Sequence, residues 1–103
     1  MDIEALRTRI DEIDSRLVEL LNERARCARQ IGQLKRDQEL PIYEPRREQV
    51  ILDNVRRKNS GPLPDMDLLQ VYERIIDVMR KIQLEQAGVP ERASRGSEMH
   101  EKD

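Results

Sequence analysis

The sequence predicts an all-α protein of three helices, and three observations predict it. Apolar residues recur at steps of three and four from Ile3 to Leu34, the period of a helix rather than a strand. Proline-containing breaks fall at Pro41, at Ser60-Gly61-Pro62-Leu63-Pro64 and at Gly88-Val89-Pro90, dividing the chain into helix-sized pieces. No stretch alternates apolar and polar residues as a half-buried strand does, and no segment repeats.

In the first piece, Ile3, Ile10, Leu17 and Ile31 share one heptad position and Leu6, Ile13, Leu20 and Leu34 share the other. Such a seam is how one helix packs against another. Asp2 suits the N-cap, where a short carboxylate accepts from first-turn amides. Pro41 ends the run, so the helix covers about residues 3–38, roughly 54 Å at 1.5 Å per residue. That is too long for the core of one small domain, and the seam calls for a partner.

A loop, Glu39-Leu40-Pro41-Ile42-Tyr43, comes next. Pro45 suits a first helical turn, where no partner for its missing N–H is needed. It opens a second helix of about residues 45–59, with only Val50, Ile51, Leu52 and Val55 to bury. Asp65 is expected to cap a third helix of about residues 66–86. Leu68, Leu69, Val71, Tyr72, Ile75, Ile76, Met79 and Ile82 fall on its expected buried side, and Gly88 and Pro90 stop it. Residues 1–87 thus read as one domain. Residues 88–103 offer almost nothing to bury and are expected to form a disordered tail.

Composition narrows the function. The 103 residues include 19 basic and 21 acidic side chains, two tyrosines, and neither Phe nor Trp. Large aromatic residues supply much of the buried area in small cores. A short, highly charged chain without them buries too little alone, so self-association is expected. One cysteine excludes an internal disulfide, and one histidine, His100 near the end, excludes a His-based triad or metal site. No apolar run reaches the roughly 18 residues of a membrane span. The N-terminus lacks a signal peptide's apolar core, so a cytoplasmic protein is expected. Fifteen arginines in a helical chain raise nucleic-acid binding as a class, but the acids balance them and the pI is near 5.5. Neither a basic footprint nor an aromatic platform for bases is present.

Departures from the helical pattern point to function. The seam position between Leu17 and Ile31 is Arg24, and a guanidinium there costs several kcal/mol unless an anion and hydrogen bonds meet it. Two readings stay open: an interhelical ion pair, with Glu48 as the candidate, or an anionic ligand. Lys35 lies three turns on and shares the face of Arg24, which strengthens an anion pocket built from a planar fork and a point charge. Arg7 flanks the seam about 25 Å before Arg24, beyond the reach of one small ligand. If two first helices pair antiparallel about a point near residue 18, Arg7 of one copy falls between Arg24 and Lys35 of the other. Arg46 and Arg47, set between Glu44 and Glu48, read as a solvated helix start. Gln83, at the edge of the third helix's apolar stripe, is an interface amide or a ligand donor. Cys27 falls on the seam and is expected to pack as a small hydrophobe; Tyr72 matches the core spacing, and Tyr43 has no assigned place.

Taken together, Leu6-Arg7, Glu23-Arg24, Ile31-Gly32-Gln33-Leu34-Lys35, Pro41-Ile42-Tyr43-Glu44-Pro45-Arg46-Arg47-Glu48 and a third helix reaching Gln83 resemble the all-helical chorismate mutase family. The resemblance covers roughly residues 3–86. It implies an intertwined homodimer of three-helix chains, with antiparallel first helices and active sites shared between subunits. It implies that Arg24, with Arg7 of the other subunit, clamps the two carboxylates of chorismate. Lys35 and Gln83 would hydrogen-bond the ether oxygen, and Glu48 with the backbone near Glu44 would hold the ring hydroxyl. Arg47 would support the site, with Gln86, one turn on, as the alternative to Gln83. Met79 stands where the family often has a small hydroxyl residue that contacts a carboxylate. The implied reaction, chorismate to prephenate, is an intramolecular rearrangement that needs no nucleophile, cofactor or metal, only a held conformer and stabilised charge. The competing readings are an isochorismate–pyruvate lyase of the same fold, a docking or regulatory module for another enzyme of the pathway, and a plain coiled-coil adaptor.

Overall fold

A computed structural model describes residues 2–88. The expected tail lies outside the described residues, except for Gly88. Three helices follow one another: α1 (Ile3–Asp37), α2 (Pro45–Lys58) and α3 (Asp65–Ala87). Among the described residues there is no strand. Each bound falls within a residue or two of its expected place, as the capping and proline signals require.

Asp2 caps α1 as expected, its carboxylate accepting from the Ala5 amide at 2.8 Å. At the other end Glu39 takes a φ of 56°, the left-handed region that costs a non-glycine residue about 1 kcal/mol. The Leu40 amide donates back to the Lys35 carbonyl at 2.8 Å. This reversal turns residues 40–44 back along the last turns of α1, and it decides what surrounds Lys35.

The start of α3 corrects one expectation. Pro64 occupies the N-cap position, with no side-chain cap, and Asp65 is already helical. The Asp65 carboxylate instead accepts from Asn59 Nδ2 at 2.7 Å. The same amide reaches the Leu63 carbonyl at 2.8 Å, while the Asn59 oxygen accepts from the Gly61 amide at 3.2 Å. Asn59 therefore braces the whole α2–α3 connection, and Asp65 is drawn into that brace rather than into a cap. Gly88 ends α3 in the left-handed conformation, as its lack of a side chain allows.

α3 packs along the C-terminal half of α1, and the α2 backbone packs beside α3 rather than beside α1. The buried core is small: Ala28, Ile76, Met79 and Leu84, of which Leu84 is the most enclosed. Val71, expected inside, faces outward, and α2 has no fully buried residue. At Gly32 the α1 and α3 backbones nearly touch; a Cβ there would lie 2.7 Å from the Gln83 carbonyl oxygen. The N-terminal half of α1 runs free of the other helices and gives the molecule its 53 Å length. Along it, Ile3, Leu6, Ile10, Ile13, Leu17 and Leu20 are each 40–66% exposed. The heptad seam is uncovered in the single chain.

Candidate active site

Because α2 stands off from α1, a cavity of about 430 Å³ opens between them, with α3 along one side and the 39–44 loop at one end. Arg24, Lys35, Glu44, Arg47, Glu48, Met79 and Gln83 all line it. The expected site residues, separated by up to 59 positions in sequence, are thus brought together, with the exception of Arg7. That residue lies far along α1, exposed, and pairs with Glu4 at 3.1 Å.

Lys35 is the buried charge of the site. Its amine donates to the Ile42 carbonyl at 2.9 Å and to Gln83 Oε1 at 3.2 Å, and Glu44 lies 3.5 Å away. All three of its N–H bonds have an acceptor within reach. An ammonium has nothing to accept with, so it must meet the oxygen end of Gln83; among the described residues the amide NH₂ has no hydrogen-bond partner. Gln86 instead donates to Gln33 at 3.1 Å and does not line this cavity. Arg24 is half-buried and, among the described residues, forms no ion pair.

The expected partner of Arg24 is taken elsewhere. Glu48 is held by Arg80 through two bonds, Nε to Oε2 at 2.9 Å and Nη2 to Oε1 at 2.8 Å. The reason is topological: α2 faces α3 and stands away from α1, so the arginine within reach is the one on α3. Arg80 also lies 3.4 Å from Asp77, and its guanidinium sits 5.0 Å from the Tyr43 ring centroid. The Glu48 hydrogen bond raises the Arg80 pKa above the usual guanidinium value, against the opposing effect of burial, so Arg80 stays charged. Cys27 also departs from expectation. It is exposed at the cavity wall, because the seam it belongs to is uncovered.

Residues 6–84 match the family model for chorismate mutase type II. The chain belongs to the chorismate mutase type II family. A chorismate mutase of Methanocaldococcus jannaschii is 36% identical over 79 residues, which cover 76% of this chain and 80% of that protein. The bifunctional chorismate mutase/prephenate dehydratase of Aquifex aeolicus is 39% identical over 79 residues, covering 73% of this chain. The chain spans only 22% of that longer relative. Chorismate mutase from Helicobacter pylori, solved in complex with prephenate, superimposes with a TM-score of 0.74 at 36% identity. That match covers 82% of this chain and 91% of the other. The all-helical chorismate mutase fold expected from the sequence is therefore the fold observed. Among the described residues no cluster of His, Cys, Asp and Glu is suited to a metal, and no helix is long and apolar enough to cross a membrane.

Arg80 is the site residue that the sequence reading missed in this chorismate mutase domain. Its signal was available: Ile76, Arg80 and Gln83 follow at helical steps of four and three, so Arg80 interrupts the α3 stripe as Arg24 interrupts that of α1. The Ile42 carbonyl was also missed, and no sequence pattern announces it. It depends on the backbone reversal at Glu39.

Proposed function

We propose that this domain converts chorismate to prephenate in the cavity between α1, α2 and α3. The observation that carries the proposal is the buried Lys35 amine, bonded to Gln83 in a cavity that also holds Arg24 and Arg47. The rearrangement breaks an ether C–O bond and forms a C–C bond within one dianion, and negative charge grows on the ether oxygen. An ammonium and an amide NH₂ fixed side by side suit that oxygen, since donors already in place need no reorganisation as charge develops. Of the three Lys35 contacts, the Glu44 contact is the longest, and it is the one a substrate oxygen would replace. Arg24, without an ion-pair partner among the described residues, offers a planar fork to a carboxylate, and Arg47 lies on the facing wall.

A second carboxylate needs a second cation near Arg24, and the uncovered α1 seam suggests its source. A second copy packed antiparallel on that seam, about a point near residue 18, would lay its Arg7 between Arg24 and Lys35. The site is then shared, and the apolar face of α1 is buried at the same time.

Incubation of the purified chain with chorismate, and separately with isochorismate, with products identified by NMR, tests the proposal. Prephenate is the expected product. Lys35→Ala is expected to lower kcat by roughly a hundred- to a thousandfold with helical circular dichroism unchanged. Salicylate and pyruvate from isochorismate, without prephenate from chorismate, would make the domain a lyase; inertness towards both would leave a docking module.

A further inference from the structure

The Glu48–Arg80 pair presents an electrostatic problem and its solution. Both side chains are mostly buried, at 22% and 16% exposure, and both line the cavity. A bare carboxylate facing a dianion would repel it, strongly so where water is scarce. Yet chorismate carries one hydroxyl, a donor that a carboxylate is suited to accept. The Arg80 fork takes one lone pair from each Glu48 oxygen and leaves the others open. It thus cancels the charge and retains the acceptor.

Arg80 is itself held on three sides. Asp77 lies one turn before it on α3, Glu48 comes from α2, and the Tyr43 ring comes from the loop. Its Nε and one Nη2 hydrogen go to Glu48 and its Nη1 faces Asp77, so the edge of the fork is turned to protein carboxylates. Met79, its neighbour, is buried and contributes no donor or charge. The position beside Met79 therefore supplies a cation that acts through Glu48.

We propose that Arg80 is a positioning and specificity residue, which neutralises Glu48 so that the cavity admits a dianion and aims its carboxylate at the substrate's single hydroxyl. The proposal rests on the reading of the cavity as a chorismate site. It makes an unusual demand: removing Arg80 does harm because Glu48 remains, so removing Glu48 as well relieves the harm. A merely structural pair behaves otherwise, since losing both members of a brace is no better than losing one.

The test is steady-state kinetics of chorismate conversion for the full chain and for Arg80→Gln, Glu48→Gln and the double variant. Arg80→Gln is expected to raise KM by about tenfold or more, with a smaller change in kcat, because it leaves a partly buried charge unpaired. Adding Glu48→Gln is expected to return most of that loss in KM. With a chorismate analogue lacking the ring hydroxyl, the double variant, in which the pair stays neutral, is expected to differ from the parent in KM by less than about twofold. An unchanged KM in Arg80→Gln, or a double variant worse than the single one, overturns the proposal. If Arg80→Gln does not fold, Arg80→Lys replaces it; this keeps the charge and loses the fork, and a KM within about twofold of the parent overturns the aiming role. Failure of the underlying reading is distinct, since the unsubstituted chain would then yield no prephenate at all.

Discussion

Gly32 shows how much one missing methyl group can hold in place. It lies on α1 where α3 comes closest, and a Cβ there would meet the backbone of Gln83, its carbonyl oxygen at 2.7 Å and its Cα at 2.9 Å. Backbone cannot swing aside as a side-chain tip can, so a larger residue must push the two helices apart. Gly32→Ala is expected to destabilise the fold by about 1–3 kcal/mol and to move the Gln83 amide away from Lys35. Activity should fall more than stability predicts, which denaturant melts and kcat measured on the same preparation would reveal. Arg80 belongs at this scale too. Its raised pKa means that its contribution is fully present below the unfolded-state value and is lost only as pH rises through the still higher folded value. Across the neutral range Arg80 therefore does not titrate, and any pH dependence of activity there must arise in other groups.

At the scale of elements, the three helices are not equally secure. α1 and α3 share a backbone contact and the buried core, whereas the α2 backbone lies beside α3 only and buries no residue fully. Two cations tie it and its loop down: Lys35 through Ile42 and Glu44, and Arg80 through Glu48 and Tyr43. The α2–α3 connection depends likewise on one amide, Asn59, with its bonds to Leu63, Asp65 and Gly61. Asn59→Ala is expected to cost about 1–2 kcal/mol, read as a lower thermal midpoint with little change in kcat. The expected cap at Asp65 and the observed brace use the same residue. The α3 start was legible to within one position, while the identity of the residue that holds it was not. An N-cap preference reports which side chains suit a helix start; it does not report which neighbour claims them first.

For the whole molecule, the free half of α1 is the dominant fact. Six large apolar side chains on one face stay at least 40% exposed, more than a small soluble domain ordinarily leaves uncovered. On the proposed shared site, two substitutions along the seam, Ile13→Glu with Leu17→Glu, are expected to yield a monomer by sedimentation and to abolish activity, since the proposed Arg7 of a second copy would no longer reach the cavity. A mixing experiment checks the sharing directly. Arg7→Ala and Arg24→Ala chains are each expected to be nearly inactive alone. After co-refolding, random pairing makes half of the dimers mixed, each with one intact site, so activity should recover to about a quarter of the parent value. No recovery would sink the shared-site reading while leaving the fold untouched.

The class, the number of helices and their bounds could be read along the chain, because periodicity, proline and capping act locally and leave their mark within a few residues. The sequence also singled out Arg24 and Lys35, since a charge inside an apolar stripe conflicts with its own neighbourhood. Which residues meet was set by helix packing. Whether Glu48 pairs with Arg24 or Arg80 depends on α2 facing α3. Whether Lys35 finds a third acceptor depends on a reversal at Glu39, and which glutamine enters the cavity depends on the rotation of α3 against Gly32. These are distances between segments far apart in the chain, settled by how helices pack and where their backbones can touch. Local sequence preferences carry no term for them.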